Sequence, residues 1–167
     1  MTYKKRKSLD VDWITQTDAW ISKEAGKTAM PIEWAIAFAK FLVAKGSKDI
    51  NGNVVADFTC YEKPLTTSQI RKFFGVVKKI QAEGYDKNKV KLAMLEPQLA
   101  YAVGKDKKYD KEKQQIVSQT KILYFYEEIS LAIRAIQQKE HFQNFVNLLE
   151  AIVAYHKAEG GKDNANS

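Results

Sequence analysis

A single cysteine, Cys60, in 167 residues excludes an internal disulfide and any centre built on several thiolates. It suits a reducing compartment, and its ordinary role is that of a small buried apolar side chain. Histidine is almost as scarce. His141 and His156 stand fifteen residues apart, about four helical turns, which is no zinc-ligand spacing. His156 continues an apolar stripe and is expected to be a hydrogen-bonded core or interface residue. A phosphate-binding loop is also missing: Gly26-Lys27-Thr28 has Ile21 where that motif needs glycine, and Gly160-Gly161-Lys162 follows a helix rather than a strand. Glu127 and Glu128 are neighbours that diverge by roughly 100° on a helix, so they cannot work as a pair. No aspartates cluster at metal-binding spacing. Ser68 sits where a helix cap belongs and has no histidine nearby in sequence to activate it. These absences argue against an enzyme, and no cofactor or metal is expected. No run reaches the roughly 18 apolar residues of a membrane span, and the opening MTYKKRKSLD has charge without an apolar stretch, so a soluble, cytoplasmic protein is expected. No repeat recurs at a fixed period.

The segment that stands out is TTSQIRKFFGVVKKIQAEG, residues 66–84. Ile70, Phe73, Phe74, Val77 and Ile80 recur at helical spacing and line one side. Arg71 and Lys78 fall on one flank of that stripe, with Lys72 and Lys79 nearly opposite it. No carboxylate joins these four cations until Glu83. Surface helices usually mix signs to gain i to i+4 pairs worth about 0.2–0.5 kcal/mol each, so a one-sign face points to a polyanionic partner or to a merely solvated basic surface. Gly75 lies inside this helix at a cost of about 1 kcal/mol relative to alanine, which fits close approach of a phosphate or another backbone. The net charge is +7, and residues 71–113, with 12 bases against 6 acids, carry +6 of it. The cluster Lys4, Lys5, Arg6 and Lys7 reads as a mobile charged terminus.

Along the chain, residues 30–45 form a largely buried helix with Pro31 in its first turn, Trp34, Ile36, Ala37, Phe38, Phe41 and Leu42 inside it, and Gly46 as its stop. Trp13, Ile14 and Trp20 upstream belong to a short packed helix or an ordered extension. Asn51, Gly52 and Asn53 signal a turn, leaving residues 47–64 for a short hairpin or loop. Asp86 is the candidate cap of a helix from Lys87 with Val90, Met94 and Leu95 inward. At Pro97 that helix kinks, or a new one starts and runs to Gly104. KDKKYDKEK reads as a lysine-rich connector. Residues 114–138 form a central helix with Ile122, Phe125, Ile129, Ile133 and Ile136 on one stripe, and residues 142–159 a last helix closed by Gly160 and Gly161. The expected fold is therefore all-α: a compact bundle of about five to six helices over residues 11–160, between a flexible basic terminus (1–10) and a polar, disordered tail (161–167). Tyr101, near Lys105, is either placed to stack on an unpaired base or, the favoured expectation, packed in the core with its hydroxyl at the rim. Tyr109, within the lysine connector, is placed to stack on an unpaired base.

Three stretches in order, LTTSQIRKFF (65–74), LEPQLAYAVGK (95–105) and FQNFVNLLEAIVAYHKAEGGK (142–162), resemble the signature regions of the Csm small-subunit family of type III-A CRISPR effector complexes. The resemblance implies a non-catalytic protein of antiviral defence that stacks in several copies along the complex. It also implies contact with guide RNA and target RNA, independent of sequence, and association with the backbone subunit and the large subunit, which hold the cleavage activities. Carried over by motif, Arg71 and Lys72 occupy the basic positions of the SQIRKF segment, and Lys105 the cation after AYAVG. The family usually has arginine there; lysine keeps the charge and loses the planar bidentate fork. Gln98 stands where the family has lysine, which removes one cation. The expected RNA-binding set is Arg71, Lys72, Lys78, Lys79 and Lys105. The alternative is a helical scaffold without direct RNA contact. A DNA-binding regulator is disfavoured, since no short glycine-containing turn precedes a helix with base-reading polar residues.

Overall fold

The computed structural model describes residues 32–44 and 60–162. The expectations for the basic terminus, for Trp13, Ile14 and Trp20, for Pro31, for the turn at Asn51–Asn53, for the Cys60 side chain and for residues 163–167 lie outside that part. In chain order the elements are α1 (Ile32–Val43), β1 (Cys60–Lys63), α2 (Thr67–Glu83), α3 (Lys89–Ala93), α4 (Leu95–Lys105), β2 (Lys107–Asp110), β3 (Gln115–Thr120), α5 (Ile122–Arg134) and α6 (Lys139–Ala158).

The fold is mostly helical, and aromatic side chains hold the helices together. Both α1 and α2 pack on α6, while α4 packs on α5. Phe38, Phe41, Phe125 and Phe145 are fully enclosed. Phe41 meets Tyr124 edge-on at 5.0 Å between centroids, and Phe73 meets Phe125 edge-on at 5.6 Å, the geometry that ring quadrupoles favour. Tyr85 stacks on Phe142 at 5.6 Å, fixing the chain just beyond α2 against α6.

A three-stranded sheet accompanies the helices, in the order β1-β3-β2. β1 runs parallel to β3 with a register irregularity between Cys60 and Lys63, and β2 is antiparallel to β3, pairing Lys107 with Ser118 and Tyr109 with Ile116. A hairpin is thus formed by residues 107–120, and the described end of the expected 47–64 region contributes an edge strand, β1. The long central helix expected over 114–138 is corrected: its first seven residues are the end of a turn and β3, and α5 begins only at Ile122 and ends at Arg134. The reason is local. Ile116, Val117 and Thr120 are β-branched, and an extended segment there pairs on both edges, which outweighs continuation of the helix. Every apolar position assigned to the central helix except Ile136 lies in α5 or packs from it.

Lys121 marks the break. It is buried, its Nζ donates to the Phe41 carbonyl at 2.7 Å, and the ammonium sits 4.3 Å from the Phe41 ring centroid. A cation at the last turn of α1 meets the negative end of that helix, so this one side chain ties the sheet to the first helix.

Two further expectations are revised. α3 is only five residues long and starts after Asn88, whose buried amide donates to the Gly84 carbonyl at 2.8 Å; Asp86 lies in the turn before it. Leu92 and Leu95 point inward, whereas Val90 and Met94 are exposed, because the chain bends at Met94 and a five-residue helix cannot carry the longer stripe. Pro97 sits in the first turn of a separate helix, α4, which settles the alternative left by the sequence.

Candidate nucleic-acid interface

The start of α2 is anchored from four directions. Thr66 and Gln69 form a reciprocal capping box: Gln69 N–H donates to Thr66 Oγ1 at 3.1 Å, and Thr66 N–H donates to Gln69 Oε1 at 3.0 Å. Leu65 N–H donates to the Leu42 carbonyl at 2.8 Å, and Thr67 N–H to the Lys162 carbonyl at 2.7 Å. His156 Nε2–H donates to the Leu65 carbonyl at 2.8 Å. Since a carbonyl only accepts, the proton is on Nε2. Burial, opposed by that hydrogen bond, holds the imidazole below its ordinary pKa, and His156 is completely enclosed, as expected for a core histidine.

The ordering of this region explains the AEGGK signature. Gly160 adopts φ 94°, in the left-handed region that favours glycine. At Gly161 an added Cβ would overlap the His156 ring, well inside van der Waals contact. The glycine pair thus turns the chain off α6 and lets Lys162 reach α2. Gly161, expected in the terminal tail, is instead buried against His156, and the carbonyl of Lys162 is bonded to the start of the basic helix.

Arg71, Lys72 and Lys79 are exposed on α2, and Lys78, half-buried, lies 5.9 Å over the Phe74 ring. Glu83 is the carboxylate nearest this set. It bonds Lys91 at 2.6 Å and reaches Lys79 only at 3.9 Å; the Lys91 hydrogen bond lowers its pKa. Arg71, Lys72 and Lys78 have no carboxylate partner among the described residues. Gly75 lies on the outer face between these cations, exposed and with no atom within 4 Å of a built Cβ. Nothing among the described residues requires a glycine there.

Lys105 is the last residue of α4, its ammonium 5.7 Å over the ring of Tyr101. Tyr101 is 71% exposed, which corrects the packed position expected for it. Leu95, Leu99 and Val103 make the buried face of α4, and a residue two positions beyond Leu99 falls roughly 200° around the helix. Gln98 is likewise exposed.

The structure brings the start of α2 and the end of α4 together across Thr120. Its N–H donates to Asp106 Oδ2 at 2.8 Å, and its hydroxyl accepts from Gln69 Nε2 at 3.5 Å. Burial raises the pKa of Asp106, against hydrogen bonds from Thr120 and the attraction of Lys63. By helical spacing Lys72 lies on the Gln69 flank, nearest this junction, and Lys105 adjoins it through Asp106. Lys78 and Lys79 sit about 10 Å beyond Lys72 along α2, toward Glu83 and Lys91. The five expected residues therefore form an extended band rather than one cluster.

Sequence reasoning missed the hairpin beyond Lys105. Lys107, Lys108, Lys111 and Lys113 are exposed there with Tyr109 and Ile116. The signal available was the β-branched run after Gln115. Among the described residues no three His, Cys, Asp or Glu side chains are placed to hold a metal ion, and no helix is long and apolar enough to cross a membrane.

Helices packed around an aromatic core, with an outward band of cations, define a small, basic, mostly helical protein whose distinctive features lie on its outside. Residues 50–162 match the family model Csm2 Type III-A, and the chain belongs to that family, the small subunits of type III-A CRISPR complexes. No curated protein and no solved structure matches the chain.

Proposed function

We propose that this small subunit binds the guide and target RNA of its complex through the outer face of α2, independently of sequence and without catalysing a reaction, while helping to hold the complex together. The observation that carries this reading is the set of Arg71, Lys72 and Lys78, without carboxylate partners among the described residues, around a Gly75 that is open among them. Cations left unpaired on a rigid helix can neutralise phosphates and release counterions, a term blind to base identity. Lys79 and Lys105 extend the band at its two ends. The partners are then the backbone and large subunits, further copies of this chain and RNA, in the cytoplasm.

A scaffold without RNA contact is the second reading, and one observation favours it: Val90 and Met94, one helical turn apart, are exposed apolar side chains of the kind that protein contacts cover. Binding of the purified protein to several unrelated, unstructured RNAs separates the two. Similar affinities for all of them support RNA contact. Failure to bind any, with incorporation into the complex unaffected by Arg71→Ala/Lys72→Ala, leaves the scaffold.

A further inference from the structure

We infer that the hairpin of β2 and β3 is a second RNA contact, specific for unpaired strands, in which a base stacks on Tyr109 while Lys107 and Lys111 hold the flanking phosphates. The inference rests on the RNA-binding reading of α2 and adds a site of different chemistry.

In the sequence KDKKYDKEK the charges look mixed, but the fold sorts them. Asp110 is buried, and its Oδ1 accepts from the N–H groups of Glu112 at 2.8 Å and Lys113 at 3.1 Å. Asp106 is spent on Thr120. Lys105, Lys107, Lys108, Lys111 and Lys113 are all exposed, leaving Glu112 as the one exposed acid of the stretch. The surface is far more cationic than its composition.

Tyr109 and Ile116 are directly opposed in the antiparallel ladder, 56% and 66% exposed. Strand alternation puts Lys107 on their face, while Val117 and Asp110 take the buried face. Lysines on an outer strand can serve only to discourage edge pairing. That explains Lys107 and Lys108 but not an exposed aromatic held beside an isoleucine. A ring fixed on a braced hairpin and ringed by cations suits a nucleobase with its phosphates. Tyr101 fits less well, since Lys105 already lies over its ring.

The test is binding of the full chain to a labelled 12-nucleotide oligouridine and to an RNA duplex of equal length, across a salt series. Tyr109→Leu should weaken single-strand binding roughly 5- to 100-fold, leave the salt dependence and the duplex affinity unchanged, and be rescued by Tyr109→Phe; thermal melting checks that the variants fold. Unchanged binding by Tyr109→Leu, with loss in Arg71→Ala/Lys72→Ala, overturns the hairpin site and spares the helix. Equal weakening on strand and duplex overturns stacking. Loss of self-association in Tyr109→Leu with full RNA binding makes the hairpin a protein contact and overturns the inference. Absence of any RNA binding by the wild type overturns both sites.

Discussion

Gly161 shows how closely this fold constrains one residue. Its α-carbon lies against the His156 imidazole with no room for a methyl group, and the same histidine holds the Leu65 carbonyl. Gly161→Ala should therefore destabilise the subunit by about 1–3 kcal/mol, the usual cost of overpacking, read from a urea transition. Gly75→Ala should do the reverse. With open space around it, the substitution should stabilise the free subunit by up to about 1 kcal/mol through helix propensity, and a simultaneous loss of RNA affinity would place a phosphate or backbone against that face. His156 also makes stability depend on pH. Because its pKa in the folded chain lies below 6.5, the unfolded chain takes up the proton first. Stability should be constant above about pH 6.5, fall as pH drops toward the lowered value, and level off below it. Asp106, whose pKa is raised from 3.8, acts oppositely, its contribution declining as pH rises through the raised value. The difference between wild type and His156→Gln in denaturant midpoints at pH 7.5 and 5.5 isolates the histidine: the wild-type fall should be absent from the variant.

α2 is the element whose properties were most fully readable from its sequence. Its apolar stripe, its capping residues and its basic faces all appear as the spacing implies, because a long amphipathic helix is set by local periodicity. Thr66→Ala, which removes the side-chain half of the capping box, should cost about 1 kcal/mol in urea unfolding and weaken RNA binding less than Arg71→Ala/Lys72→Ala does. α3 and β3 were less legible. Val90 and Met94 have helical spacing, but Met94 only caps the five-residue α3, which is too short for periodicity to decide which way it faces. β3 is extended because β1 and β2 pair with it, and neither partner is visible in the residues 115–120 themselves. Tyr101 was misplaced by treating an aromatic as core by type rather than by its angle from Leu99. The bond from His156 to Leu65 spans 91 residues, a distance that no local pattern encodes.

For the molecule as a whole, the positive charge is sorted more than its composition implies. The aspartates of the hairpin are turned to backbone amides, Glu83 is taken by Lys91 and Glu96 by Arg134. What remains outward is a band from Lys79 along α2 past Lys72 to Lys105 and the hairpin. The outward placement of the expected cations was legible in the sequence, but their layout was not, since the junction at Thr120 depends on tertiary contacts. Such a band should bind RNA in a manner dominated by counterion release. The most direct test is the slope of log affinity against log salt for an unstructured single-stranded RNA, wild type beside Arg71→Ala/Lys72→Ala. Loss of two phosphate contacts should flatten the slope by about 1.4 and lower affinity at every salt concentration. An unchanged slope and affinity in the double variant would contradict RNA binding by this face.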